Sequence, residues 1–324
     1  MSIFVTRQIP EVGLDYLRTA GVDYEVGGVD AGPPTREELM TGAARHPVLL
    51  SSLTESIDVE VLNANPDLRG VSQMAVGVDN IDVGFADSLG IPVAHTPGVL
   101  TDATADLAFA LLLAAARHVP AGHDYVRSGK FTAWDPGLFQ GVQVGPLPTG
   151  GSRVLGILGF GRIGQAVARR AKGFGMMVLA HSRSREPIDR SDLAEYAEFD
   201  EVLERSDFLS LHCPLTEATT HLIDAAALGR MKPTAILINT ARGPVLDEAA
   251  LVEALRAGGI RAAGLDVYER EPELAPGLAD LDNVVMLPHV GSATKETRDQ
   301  MALMAAEAAV RLVEGRPVLH RYGP

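Results

Sequence analysis

Three glycines in the middle of the chain follow an apolar run that is typical of a buried strand. They are Gly159, Gly161 and Gly164. The first permits a tight turn, the second lets the backbone approach a pyrophosphate, and the third lets the next helix pack closely on the sheet. Apolar residues at helical spacing follow from Arg162 to Phe174, and a second strand-like run, Met177 to His181, comes next. This strand, turn, helix and strand pattern predicts a dinucleotide-binding fold.

The residues after the second strand bear on the choice of dinucleotide. An NAD-binding fold usually has Asp or Glu about 20 residues after the glycines, where it holds the ribose 2′-hydroxyl. Ser182, which lies 18 residues after Gly164, is followed here by Arg183, Ser184 and Arg185. Hydroxyl and guanidinium groups suit a 2′-phosphate, so NADP(H) is the preferred cofactor on this basis, with NAD(H) as the alternative.

Length and composition set further bounds. A chain of 324 residues is typical of two domains, and its net charge of −14 disfavours nucleic acid or an anionic membrane as a partner. An anionic substrate would therefore need a local arginine. Cys213 is the single cysteine, so no internal disulfide is possible, which fits a cytoplasmic protein. The sequence predicts no membrane span, no signal peptide and no metal site.

Strand-like and helix-like segments alternate along both halves of the chain, which predicts parallel sheets covered by helices on both faces. Besides the two around the glycines, strands are predicted at 3–6, 48–50, 68–74, 91–94, 208–212, 235–239, 264–267 and 284–287, and helices at 10–19, 58–63, 83–89, 101–119 and 293–314. The segment from Gly141 to Ser152, with four glycines and two prolines, is predicted to be a loop.

Four short strings stand where predicted strands end. They are Val76–Asp79, Asn239–Gly243, Asp266–Pro272 and Pro288–Ser292. Open parallel sheets bind their ligands at those ends. Together the strings supply glycine-exposed amides, a guanidinium group, a carboxylate and an imidazole.

These strings resemble those of the D-isomer-specific 2-hydroxyacid dehydrogenases, and the resemblance runs over essentially the whole chain. The matching segments are Thr96–Asp106 for the hinge and helix start, Leu158–Gly164 for the cofactor loop, His212–Thr216 beside the nicotinamide ribose, Ile238–Gly243, Glu271–Pro272 and Leu287–Thr294. Within the family, Ser182–Arg183 and Gly291–Thr294 are most similar to the NADPH-preferring glyoxylate/hydroxypyruvate reductases.

The resemblance implies an α/β fold of two doubly wound parallel-sheet (Rossmann-like/flavodoxin-like) domains, with the active site in the cleft between them. The substrate domain is expected to comprise residues 1–98 plus 288–324, and the dinucleotide-binding domain residues 99–287. The family also implies a homodimer.

The resemblance also assigns roles to residues. His289 is the expected general acid, Glu271 orients it, and Arg242 binds the substrate carboxylate and carbonyl oxygen. The expected substrate-binding residues are Leu53, Val76, Gly77, Arg242, Ser292 and Trp134. The expected cofactor-binding residues are Gly159, Gly161, Arg162, Ile163, Gly164, Ser182, Arg183, Ser184, Cys213, Pro214, Thr219, Thr240, Ala241, Asp266, His289 and Gly291. Trp134, the only tryptophan, is expected either in a core or interface or in the active site of a partner subunit.

The loop Ser51–Thr54 has no charged residue before Glu55, which favours a small or hydroxylated substrate over a phosphorylated one. The expected activity is NADP(H)-dependent reduction of glyoxylate and hydroxypyruvate to 2-hydroxy acids. Two alternatives remain open. One is an NAD-dependent dehydrogenase of a bulkier D-2-hydroxy acid, and the other is a non-catalytic scaffold that senses a dinucleotide.

Overall fold

The computed structural model describes residues 2–28 and 32–323, which form twelve strands and twelve α-helices. The strands are β1 (Ser2–Val5), β2 (Asp23–Val26), β3 (Val48–Ser51), β4 (Gly70–Gln73), β5 (Val93–Ala94), β6 (Val154–Leu158), β7 (Met177–His181), β8 (Glu195–Tyr196), β9 (Phe208–Leu211), β10 (Ile236–Asn239), β11 (Ala262–Leu265) and β12 (Val284–Met286). The helices are α1 (Glu11–Thr19), α2 (Arg36–Arg45), α3 (Val59–Asn63), α4 (Val83–Ser88), α5 (Thr101–Arg117), α6 (Val119–Arg127), α7 (Arg162–Gly173), α8 (Glu186–Asp189), α9 (Phe199–Arg205), α10 (Ala225–Arg230), α11 (Glu248–Arg256) and α12 (Lys295–Val313).

The chain divides into two compact units. The first comprises Met1–Leu100 and Ser292–Pro324, and the second comprises Thr101–Gly291. The last helix, α12, therefore belongs with the first hundred residues. Its backbone is tied to β4 by the buried Ser72 hydroxyl, which donates to the carbonyl of Ala305 at 2.8 Å.

The first unit is built on a parallel sheet of five strands in the order β2-β1-β3-β4-β5. Successive side chains of β1 point to opposite faces: Ile3 and Val5 pack with α1 and α12, whereas Phe4 packs with α2 and α3. Both faces are covered, which explains why β3 reads as a continuous apolar run rather than as alternating residues.

The second unit is built on a parallel sheet of seven strands in the order β12-β11-β10-β9-β6-β7-β8. Helices α5 and α7 contribute to the core on one face, and α9, α10 and α11 contribute to the core on the other. The strand order reverses between β6 and β9, and in the first unit between β1 and β3. In open sheets of this kind, ligands bind beyond the carboxyl ends of the strands at such reversal points.

The bounds of most predicted elements differ from the observed ones by one or two residues, and two of the differences have a clear cause. The helix predicted over 101–119 ends at Arg117, because His118 takes a left-handed conformation (φ 53°) and a new helix, α6, starts at Val119. The strand predicted over 264–267 is β11, Ala262–Leu265, because its pairing with β10 begins at Ala262.

No single helix in the two described stretches is long and apolar enough to cross a membrane. Helices α5 and α6 pass that test only when taken together, by length and composition, and they are bent by 63° at His118. Most apolar side chains of α5 are buried.

The glycine turn after β6 brings three segments into close contact. Gly159 has φ +95°, and a Cβ there would lie 2.5 Å from the backbone nitrogen of Cys213. A Cβ at Gly164 would lie 2.2 Å from the carbonyl oxygen of Gly159. Neither position accepts a side chain. Gly161 differs, since a Cβ there meets no described atom within 4 Å.

We predict that Gly159 is required mainly for the stability of the fold, whereas Gly161 is required mainly for dinucleotide binding. Gly159→Ala should lower the free energy of unfolding by about 2 kcal/mol or more, because it combines a positive φ with a backbone clash. Gly161→Ala should lower it by less than about 1 kcal/mol, yet weaken dinucleotide binding by filling the space beside the turn. Denaturant unfolding followed by circular dichroism, with cofactor titration by fluorescence, measures both. Equal loss of stability in the two variants would contradict this reading of the turn.

Candidate active site

The amino end of α7 lies at the glycine turn. Gly161 is the N-cap residue, and no described side chain caps the helix. The first backbone N–H groups of a helix have no partner within it and carry partial positive charge. Because the space beside Gly161 is open, the backbone N–H groups of Arg162, Ile163 and Gly164 are suited to bind the pyrophosphate of a dinucleotide. The expected cofactor therefore fits the residues that form this turn.

The segment after β7 contains two arginines with different surroundings. Arg185 donates from Nε to both carboxylate oxygens of Asp189, at 3.0 and 2.9 Å, and its guanidinium lies 4.3 Å from the ring centre of Tyr196. Arg183 is exposed and makes no ion pair within the described ranges. Of the two, Arg183 is therefore the guanidinium available to a ligand, beside the half-buried Ser182 and the exposed Ser184.

The loop after β9 is closed by its own side chains. Thr219 donates from Oγ1 to the carbonyl of Pro214 at 2.7 Å, and its hydroxyl accepts the N–H of Thr216 at 2.8 Å. Burial raises the pKa of the Cys213 thiol to about 11. The thiol therefore stays protonated near neutral pH, and the loop contributes no thiolate nucleophile.

The loop that carries Arg242 is held by a buried amide that the sequence interpretation did not single out. The side chain of Asn239, fully buried at the end of β10, accepts the N–H of Ala241 at 3.0 Å and donates to the carbonyl of Arg242 at 2.9 Å. An Asn two residues before a loop amide commonly makes such a turn, so the sequence did contain this signal. The hydroxyl of Thr240 is buried and has no hydrogen-bond partner among the described residues.

The Arg242 loop lies against the segment that carries Glu271. A Cβ at Gly243 would lie 1.8 Å from the carbonyl carbon of Tyr268. Only glycine permits this close approach.

Glu271 and His289 form a hydrogen-bonded pair. The distance between His289 Nδ1 and Glu271 Oε2 is 2.8 Å, and the other carboxylate oxygen of Glu271 accepts the N–H of Tyr268 at 3.0 Å. A carboxylate at Nδ1 fixes the ring orientation and favours a proton on that nitrogen. His289 Nε2 has no protein partner within the described stretches, and the side chain is 29% exposed.

The charge state of Glu271 reflects its neighbours. Burial by itself would raise the pKa of this carboxyl, but the hydrogen bond and charge of His289, the N–H of Tyr268 and the charge of Arg242 together lower the pKa. Glu271 is therefore an anion near neutral pH. The close approach of Gly243 to Tyr268 and the hydrogen bond between Glu271 and His289 bring Arg242, Glu271 and His289 into one neighbourhood of the second unit.

Asp266 fixes the turn that carries His289. Its backbone carbonyl accepts the N–H of His289 at 2.9 Å, and its two carboxylate oxygens accept the N–H groups of Val290 and Gly291, each at 2.8 Å. His289 has φ +54°, a conformation that a residue with a side chain rarely adopts. The hydrogen bonds to Asp266 offset that strain. Burial raises the pKa of Asp266.

In the first unit, the loop after β3 that carries Leu53 is held by the buried Glu55. Its carboxylate accepts the backbone N–H of Ser52 at 2.6 Å and the hydroxyls of Thr6 and Thr54 at 2.9 and 2.7 Å. The carboxylate of Glu55 therefore points towards the backbone and hydroxyls around this loop. Arg7, which follows β1, donates from Nη1 to Thr54 at 3.1 Å. Sequence reasoning missed this cation, because 47 residues separate the two side chains.

The segment after β4 carries Val76 and Gly77. The carbonyl of Val76 lies 2.9 Å from Nδ1 of His95, and the carbonyl of Ala75 accepts the N–H of Thr96 at 2.8 Å. His95 therefore has a structural contact at this loop. Ser292 begins the second segment of the first unit, where its carbonyl accepts the N–H of Thr294 at 2.8 Å.

Trp134 is 81% exposed. The expectation that it belongs to a core is therefore wrong, because the segment after α6 runs over the surface of the second unit. Other apolar side chains in this region are also exposed: Val119 and Val126 on α6, and Phe131 in the segment that follows. Helix α6 has no buried residue.

Comparison with known proteins identifies the family. The family model for the D-isomer specific 2-hydroxyacid dehydrogenase, NAD binding domain, matches residues 109–291. The glyoxylate reductase of Korarchaeum cryptofilum is 49% identical over 318 residues, which cover 97% of this chain and 93% of that protein. The glyoxylate reductase of Thermococcus litoralis is 46% identical over 319 residues, covering 97% of this chain and 94% of that protein.

One solved structure is similar to this chain over nearly its whole length. It is the NADPH-dependent glyoxylate/hydroxypyruvate reductase of Sinorhizobium meliloti in complex with NADP and malonate, which has a TM-score of 0.85 and 31% sequence identity. The similarity covers 99% of this chain and 96% of that one. The chain therefore belongs to the D-isomer-specific 2-hydroxyacid dehydrogenase family, and it is an oxidoreductase that uses a nicotinamide dinucleotide and acts on the CH–OH group of its donors.

Proposed function

We propose that this enzyme reduces glyoxylate and hydroxypyruvate to the corresponding 2-hydroxy acids, with NADP(H) as its preferred cofactor. The observation that carries the proposal is the hydrogen-bonded pair of Glu271 and His289 beside the charge of Arg242. Glyoxylate is named as the substrate of the two archaeal relatives, and glyoxylate and hydroxypyruvate as those of the Sinorhizobium enzyme. The first unit takes the role of substrate domain, and the second that of dinucleotide-binding domain.

His289 acts as the general acid. The reduced nicotinamide, when bound, supplies a hydride to the carbonyl carbon, and negative charge then develops on the carbonyl oxygen. Glu271 holds Nδ1 of the imidazole, which leaves Nε2 to donate a proton to that oxygen. In the reverse direction the same nitrogen accepts the hydroxyl proton. A carboxylate that stays ionised, as Glu271 does, stabilises the protonated imidazole.

Arg242 binds the substrate. Its guanidinium has several donors in one plane, so it can contact both the carboxylate and the carbonyl oxygen of a 2-keto acid. The backbone amides of Val76 and Gly77 bind the other side of that carboxylate, and Leu53 contacts the remainder of the substrate. In a chain with a net charge of −14, these donors supply the local attraction that an anionic substrate needs.

A panel of 2-keto acids tests the activity. With saturating NADPH, we expect turnover of glyoxylate and hydroxypyruvate at higher kcat/KM than of keto acids with bulky side chains. His289→Gln should lower kcat by about 10²–10⁴-fold and leave the affinity for NADPH within twofold, because the imidazole supplies the proton and not the main cofactor contacts. Spectrophotometric assays and fluorescence titration give both quantities. No turnover of any 2-keto acid, with cofactor binding retained, would refute the activity and favour a dinucleotide-sensing role.

The preference for NADP(H) rests on Ser182, Arg183 and Ser184. No carboxylate occupies this stretch, and Arg183 is not engaged by another described side chain in an ion pair, whereas Arg185 is. A guanidinium group and hydroxyls bind the 2′-phosphate well, and an acidic residue, which would repel it, is lacking at these three positions.

Arg183→Ala should raise the KM for NADPH about tenfold or more and change the KM for NADH by less than about twofold, since only NADPH carries the 2′-phosphate. Arg190→Ala is the matched control, because Arg190 is a nearby exposed arginine that pairs with Glu186 on α8. Steady-state kinetics with both cofactors decides the matter. A similar change for NADPH and NADH would rule out the assigned phosphate contact.

We also propose that the enzyme is a homodimer in which a second copy covers α6 and the segment that carries Trp134. Val119, Val126, Phe131 and Trp134 are between 55% and 81% exposed, which is unusual for apolar side chains so near each other in sequence. In such a dimer, Trp134 reaches the active site of the partner, where it contacts the substrate.

Val126→Glu should convert the dimer to a monomer, because it buries a charge in the proposed interface. Val59→Glu is the control, since Val59 is also exposed but lies on α3 of the first unit. Sedimentation velocity at micromolar concentration measures the mass. A monomeric wild-type protein, or a dimer that survives Val126→Glu unchanged, would contradict the proposed interface.

A further inference from the structure

Glu248 is a buried carboxylate that is not among the expected site residues. It is the first residue of α11 and is 2% exposed. Its Oε1 accepts the backbone N–H of Glu269 at 2.7 Å, and its Oε2 accepts the backbone N–H of Ala275 at 3.3 Å. One side chain therefore holds both ends of the segment 269–275, which carries Glu271.

Packing contributes little to the middle of that segment. Residues 270–274 are exposed, so packing does not define their positions. Within the described ranges, the turn has one internal backbone hydrogen bond, from the N–H of Glu273 to the carbonyl of Arg270 at 2.8 Å. The bonds to Glu248 thus connect both ends of this exposed turn to the buried start of α11.

The contact between Glu248 and Glu269 is reciprocal. Oε1 of Glu269 lies 3.4 Å from the backbone nitrogen of Glu248 and 2.6 Å from Nε2 of His221. Burial raises the pKa of Glu248, and the charges of Glu269 and Glu271 act in the same direction, whereas the two backbone N–H bonds lower the pKa. A buried carboxyl is unfavourable unless its oxygens accept hydrogen bonds, so these two bonds stabilise both Glu248 and the turn.

We propose that Glu248 is a positioning residue for the general acid: it fixes the turn 269–275 and thereby holds Glu271 against His289. The inference rests on the proposed function, because it deepens the roles given there to Glu271 and His289. Glu248 touches neither of those two side chains in the hydrogen bonds described, so it acts through the backbone of the turn.

Glu248→Gln tests the proposal with little change in shape. Glutamine keeps one acceptor oxygen, but its NH₂ group then faces a backbone N–H and one bond is lost. We expect kcat for 2-keto acid reduction to fall about tenfold to hundredfold and the KM for NADPH to stay within twofold. The reason is that the lost bond displaces the proton donor and not the cofactor site. Glu253→Gln is the control, since Glu253 is an exposed glutamate on the same helix that pairs with Arg256.

A second readout does not depend on turnover. The pKa of Glu271 can be followed by NMR of the ¹³C-labelled side-chain carboxyl, and in the wild type it is lowered by His289. Glu248→Gln should raise this pKa toward its ordinary value, as His289→Gln should. If Glu248 acts through the pair, the double variant should show no further rise beyond His289→Gln alone.

The outcomes separate the two claims. A loss of kcat together with a raised pKa of Glu271 supports the positioning role. An unchanged pKa of Glu271 in Glu248→Gln overturns it, whether or not kcat falls, since a merely structural role would not move that pKa. If Glu248→Gln does not fold, Glu248→Asp replaces it under the same criteria. If the wild type reduces no 2-keto acid, the proposed function fails, and the titration of Glu271 still decides the role of Glu248.

Discussion

The hydrogen bond between Glu271 and His289 requires two separate turns to hold fixed positions. One turn follows β11 and the other follows β12, which are adjacent parallel strands, so their carboxyl ends meet at the same edge of the sheet. Asp266 holds the turn of His289 through three hydrogen bonds and offsets a left-handed backbone worth about 1–3 kcal/mol of strain. The chemistry thus depends on backbone positions that buried polar groups define.

Much of the architecture could be predicted because it rests on local rules. The positive φ of Gly159 and the close packing at Gly164 leave no alternative to glycine, so the turn is visible in the sequence. The carboxyl ends of parallel strands lie at one edge of the sheet, so the sequence alone predicted that the segments around Arg242 and His289 lie close together. The family resemblance added the order of these strings and the division into two parallel-sheet units.

Other features depend on contacts between residues far apart in sequence. The pairing of Arg185 with Asp189 and Tyr196 was not visible in the sequence, because it depends on where those side chains lie after α8 forms. Glu248 was missed since its partners are 21 and 27 residues away, on a turn with no regular structure. The exposure of Trp134 was likewise undetermined, because a lone tryptophan is most often buried at least in part.

A crystal structure of the enzyme with NADP⁺ and oxamate, an unreactive analogue of a 2-keto acid, tests the central claim most directly. We predict that Nε2 of His289 lies within about 3.2 Å of the analogue oxygen that stands for the carbonyl, with Nδ1 still on Glu271. The guanidinium of Arg242 should contact the carboxylate of the same molecule. Oxamate bound without contact to His289, or an imidazole turned away from Glu271 in the complex, would contradict the assignment of His289 as the general acid.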